Sequence, residues 1–115
     1  MAGTLFENFC IQETIKCFAN RGEQAPISYL RTNNGLEVDL IIEKTALRPL
    51  PVEIKLSRTP SASLVSGLTR YAASFEKSTP EDGLLLCGAD GRRSVCRGVS
   101  SIGVKEFFDL LRLGP

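Results

Sequence analysis

The chain contains no histidine, and that absence removes more chemistry than any other feature of its composition. Ser-His and Cys-His nucleophiles and histidine acid–base steps are all excluded. The four cysteines, at positions 10, 17, 87 and 96, form no CxxC pair, so a structural zinc site lacks its usual ligand pattern. Cys10 and Cys17 fall on one expected helix at a separation of about two turns, ~10 Å, beyond disulfide reach. The thiols therefore read as reduced, mostly buried small hydrophobes of a cytoplasmic protein. No apolar run approaches the roughly 20 residues of a membrane span, and the first residues lack a signal-peptide pattern. No G-x-x-x-x-G-K-[S/T] loop is present, so no ATPase site is expected within this chain. Neither charge sign dominates, the formal net charge being +1, which argues neither for nor against nucleic acid, because a neutral chain can carry a basic groove. With 115 residues, 43% of them hydrophobic, the chain suffices for one domain around one core.

What is present centres on Leu36 to Leu56, LEVDLIIEKTALRPLPVEIKL. In the first half Leu36, Val38, Leu40 and Ile42 alternate with Glu37, Asp39, Ile41 and Glu43; in the second Leu50, Val52, Ile54 and Leu56 alternate with Pro51, Glu53, Lys55 and Ser57. Strand side chains change face at every residue, so each run is expected to turn its aliphatics to a core and its charges away. Paired as a hairpin, the runs bring Glu37, Asp39, Glu53 and Lys55 onto one sheet face.

Before this stretch, Thr4 to Asn20 reads as a helix stopped by Gly22. Its apolar arc comprises Leu5, Phe6, Phe9, Cys10, Ile11, Ile15, Cys17 and Phe18, with Asn8, Gln12 and Lys16 on the wet side. Glu7 lies inside the arc. Either it is a favourable first-turn acid of a helix that begins later, or it is exposed, paired or bound to a cation. Ile27 to Thr32 is a strand joined through the turn Asn33-Asn34-Gly35 to Leu36–Glu43, and Thr45 to Pro49 leads to Leu50–Leu56, which gives a three-stranded antiparallel meander. Ser61 or Ser63 caps a second helix reaching about Lys77, with Leu64, Val65, Leu68, Tyr71, Ala72 and Phe75 as its buried stripe and Gly67 permitting close packing. Pro80-Glu81-Asp82-Gly83 turns the chain into Leu84–Cys87, a strand apolar on both faces as expected after a helical crossover. Ser94 to Val99 is a weaker edge strand, and Val104 to Leu113 a closing helix with Phe107 and Phe108 inward. The order is α-β-β-β-α-β-β-α.

Glu7, Asp39, Glu53 and Lys55 are the residues with a chemical use. Carboxylates are hard oxygen ligands suited to Mg²⁺ or Mn²⁺, and such a cation polarises a phosphate and activates a water. An amine two residues from a ligating Glu shares its strand face and can orient that water or offset developing charge; the backbone carbonyl of Ile54 between them is a further candidate ligand. Clustered like charges repel, so if the acids form a metal site Asp39→Ala is expected to abolish Mn²⁺ binding and raise stability slightly in metal-free buffer, whereas a lower-melting variant would mark Asp39 as structural. The competing reading is a solvated hairpin face on which opposite charges merely pair across strands. Arg31, Lys44, Arg58, Arg70, Arg92, Arg93 and Arg97 are candidate phosphate contacts, or a solvated surface.

The helix with Leu5-Phe6-Glu7-Asn8-Phe9, the strand with Glu37-Val38-Asp39, and Glu53-Ile54-Lys55 before a helical crossover together resemble the PD-(D/E)xK nuclease-like superfamily. More closely, "LFENF", "GLEVDLIIE" and "PVEIKLS" resemble an uncharacterised domain at the C-terminus of bacterial and archaeal AAA-type ATPases. The resemblance implies an α/β (α+β) restriction-endonuclease-like core, a mixed sheet flanked by helices. It implies Asp39 and Glu53 as metal ligands, Lys55 as the catalytic lysine and Glu7 as a supporting acid, with Mg²⁺ or Mn²⁺ as cofactor and DNA as substrate. It also implies an ATPase module in the same or a partner chain, the abrupt Met-Ala-Gly start being read as that of an excised domain. Glu37 matches the ATPase-linked domain without a settled role. One related branch, the RecB-like nucleases, carries a Gln four residues before a Tyr; Gly67 stands in that place before Tyr71. The alternative is a non-catalytic module that binds nucleic acid or protein beside the ATPase.

Overall fold

Alternation of apolar and polar residues builds the sheet, and an interruption of it within Glu37–Ile42 builds the site. The computed structural model describes residues 2–33, 35–43, 49–73, 83–96 and 98–113, without the side chains of Ala2, Ala62, Ser63, Ala72, Ala73 and Leu113. Helix α1 spans Ala2–Ala19, followed by strands β1 (Ile27–Arg31), β2 (Glu37–Ile42) and β3 (Leu50–Lys55). A 3-10 turn (Ala62–Val65) leads into α2 (Ser66–Ala73); then come β4 (Gly83–Cys87), β5 (Arg92–Cys96), β6 (Val99–Gly103) and α3 (Val104–Leu113). The connection at 45–48, the continuation of α2 beyond residue 73, the turn at 80–82, and Asn34, Lys44 and Arg97 lie outside the described residues.

The six strands form one mixed sheet in the order β1-β2-β3-β4-β6-β5. β1, β2 and β3 pair antiparallel, β4 runs parallel to both β3 and β6, and β5 closes the far edge antiparallel to β6. Leu84 and Leu86 pack with α1 and α3, whereas Leu85 and Cys87 pack with α2. Helices therefore cover both faces, which is why this central strand is apolar throughout. Where a single strand was expected between Ser94 and Val99, two are found. Gly98, at φ +80°, turns the chain between them, and β6 then inserts beside β4. The segment is too short and polar to advertise two strands.

Helix α1 departs from its expected arc. Cys10, Thr14 and Phe18 are its buried stripe, while Leu5, Phe9 and Ile15 are exposed. Thr14 occupies the centre because its hydroxyl donates to the Cys10 carbonyl at 2.7 Å, leaving nothing unsatisfied. All four cysteines are free, Cys10 and Cys87 buried. No described helix is long and apolar enough to cross a membrane.

The second departure lies in β2. Leu36 and Val38 pack in the α2 layer, Leu40 and Ile42 in the α1 layer, and Ile41 again in the α2 layer. The aliphatics at 36, 38, 40 and 42 thus do not share one face as their spacing predicts. The reason is a β-bulge. Ser28 pairs with Ile41 and Leu30 with Val38, so the single residue Tyr29 opposes both Asp39 and Leu40. An extra residue reverses the alternation downstream and re-aims the bulged side chain.

Candidate functional site

The bulge places Asp39 at the seam between β2 and β3. Backbone partners run Ile42↔Leu50, Ile41↔Pro51 and Leu40↔Val52, and stop there. The next amide along β3, that of Ile54, donates instead to Oδ2 of Asp39 at 2.9 Å. A side chain has taken the place of a ladder carbonyl, which fixes the carboxylate against β3 beside Glu53.

Glu53 is buried, 6% exposed. It lies beneath the start of α2, where a Cβ on Gly67 would stand 3.2 Å from Glu53 Oε2 and 2.4 Å from the Glu37 carbonyl oxygen. Glycine is what lets the helix close over the acid; a Gln at this position, the residue of the RecB-like pattern, has no room. Burial first, then a hydrogen bond and charge repulsion from Asp39, push the Glu53 carboxyl up to about 8, with Lys55 pulling the other way. A carboxyl raised that far is mostly protonated at neutral pH. Lys55 Nζ stands 3.6 Å from Glu53 Oε1 and is half exposed.

Glu7 approaches from α1. With the helix starting at Ala2 it is not a first-turn acid; it is half-buried on the flank that faces the bulge. Desolvation and the Asp39 charge raise its carboxyl, opposed by Arg31 and Lys55. Glu7, Ile11, Tyr29, Arg31, Glu37, Val38 and Asp39 line a cleft of about 220 Å³. Of the four expected residues, Asp39, Glu53 and Lys55 meet directly, and Glu7 looks at Asp39 across this cleft. Tyr29, with its exposed ring, was not foreseen. A tyrosine in a short strand gives no signal until the bulge sets it opposite Asp39.

Among the described residues no group of three or more His, Cys, Asp or Glu side chains is spaced to hold a metal ion. The fit to a cation is thus through two carboxyls, Asp39 and Glu53. That number suits Mg²⁺, which keeps several waters and takes one or two protein carboxylates. It does not make an all-protein cage.

The fold and site define a mixed-sheet α+β domain with a carboxyl pair seated at a bulged strand. The family model described as a domain of unknown function (DUF4143) matches residues 2–107, and the chain belongs to that family. The match agrees with the expected uncharacterised domain and carries no statement of nuclease chemistry. No curated protein and no solved structure matches the chain.

Proposed function

We propose that the domain hydrolyses phosphodiester bonds of DNA at the seam between β2 and β3. The observation that supports this reading is the placing of Asp39, tied to the Ile54 amide, beside the buried Glu53, with the Lys55 ammonium 3.6 Å from Glu53. Folding tolerates such like-charge crowding at a cost, and sites that bind or catalyse are where that cost is commonly met. Asp39 and Glu53 would hold Mg²⁺ or Mn²⁺ in place of the proton. The cation would supply Lewis-acid polarisation of a phosphate and a more acidic water. Lys55, whose amine reaches solvent, orients the attacking water and offsets charge developing on the phosphate oxygens. Glu7 accepts a hydrogen bond from water in the cleft and keeps the field there negative enough to favour a cation.

The test is incubation of end-labelled single-stranded, duplex and overhanging DNA with the protein and Mg²⁺ or Mn²⁺. Fragments are expected from the native chain and not from Glu53→Gln or Lys55→Ala. No fragments from any substrate, or fragments that persist in both variants, contradict the reading. One observation favours a second reading, a non-catalytic nuclease-like module serving an AAA-type ATPase: no three-acid group forms among the described residues.

A further inference from the structure

The cleft beside Asp39 has a rim the reaction does not require. Tyr29 is 69% exposed, unusually open for an aromatic side chain, and its ring is held under the guanidinium of Arg31, 5.8 Å from the ring centroid. Both residues line the same cleft as Glu7, Glu37 and Asp39, and the β2 bulge sets Tyr29 across from Asp39 itself. β1 is the edge strand of the sheet. Among the described residues Arg31 has no carboxylate within ion-pair distance, its charge acting on Glu7 across the cleft.

We propose that Tyr29 and Arg31 dock an unpaired nucleotide of the DNA strand, its base stacked on the ring and its phosphate on the guanidinium. This rests on the phosphodiester reading of the neighbouring carboxyls and adds its substrate class, single-stranded or frayed DNA. An exposed aromatic gives any base a stacking face, and an adjacent cation gives its phosphate a partner. A base within a duplex is already stacked on both sides and cannot use the ring without being extruded. The cleft's volume, about 220 Å³, is below the roughly 300–1,000 Å³ of sites for drug-sized molecules and is on the scale of a single base or phosphate.

The test is fluorescence anisotropy of the whole chain with labelled oligothymidylate and with the same strand paired to oligoadenylate, in Mg²⁺. Samples are then run on a denaturing gel. Tyr29→Ala, a surface change checked by circular dichroism, is expected to weaken single-strand binding about tenfold, the order of one lost base stack. Tyr29→Phe is expected to restore it and duplex binding to stay unchanged. Arg31→Met is expected to lower the dependence of log K on log[salt] by about 0.7, one phosphate contact. Tyr29→Ala binding like the native chain, an equal loss on both DNAs, or no single-strand binding at all overturns the inference. The gel separates the two claims: Tyr29-dependent binding without cleavage keeps this one and removes the hydrolysis, and cleavage with Tyr29-independent binding does the reverse.

Discussion

The amide of Ile54 is bonded to the side chain of Asp39 and not to a backbone carbonyl of β2. One carboxylate oxygen thereby serves the sheet while the carboxyl as a whole faces Glu53. Structural and chemical duties are joined in a single residue.

That double role makes two substitutions at position 39 diverge. Asp39→Asn keeps an oxygen for the Ile54 amide and removes the repulsion, so it should be at least as stable as the native chain without metal. Asp39→Ala strands a partly buried amide, a cost of about 1–3 kcal/mol that outweighs the relief. The expectation from sequence, that Asp39→Ala stabilises, is therefore reversed by the bond to the Ile54 amide, and Asp39 has a structural role as well. Urea denaturation checks the order; an alanine variant as stable as the asparagine variant contradicts it.

Glu53 predicts a pH dependence. Its carboxyl is raised in the folded chain to about 8 from an ordinary value of 4.5. Between those values the folded state keeps a proton that the unfolded state releases, so stability falls as pH rises through the window and levels off above it. Glu53→Gln mimics the protonated acid and removes this slope. Thermal melts at pH 5 and pH 8 in chelator should show the variant gaining on the native chain toward pH 8. A gap that is constant, or that narrows, is the contrary result.

Gly67 tests the closure of α2 over the acids. A methyl group there meets the Glu37 carbonyl at 2.4 Å, too close for any side chain, so backbone must move. Gly67→Ala should cost roughly 1–3 kcal/mol, read by urea denaturation, and by loosening the cover it should lower the Glu53 pKa. A neutral substitution would mean that α2 does not press on β2 as described.

Much of this arrangement is written in residue order. Leu84 to Cys87 announces a buried central strand, and Glu53-x-Lys55 puts acid and amine on one face because strand geometry allows nothing else. The pairing of Asp39 with Glu53 was legible as a hairpin. The bulge was not, since Leu36, Val38, Leu40 and Ile42 look the same with or without an extra residue between neighbouring strands. The outward turn of Leu5 and Phe9 was hidden for a similar reason. Apolar spacing on α1 marks an arc wider than its neighbours can cover, and the positions of β3 and α3 select the Cys10, Thr14 and Phe18 stripe. Gly67 was readable as close packing, but the acid beneath it comes from β3, over ten residues away, and periodicity carries no such information.

The central claim is that the Asp39–Glu53 pair exchanges its proton for a divalent cation. Calorimetric titration of the whole chain with Mn²⁺ and Mg²⁺ at pH 7, beside Asp39→Asn and Glu53→Gln, tests it most directly. Saturable binding by the native chain, with proton release seen as a heat that varies with the buffer's ionisation enthalpy, and its loss in both variants is the predicted result. No binding at metal concentrations on the order of millimolar, or equal binding by the native chain and both variants, contradicts the account.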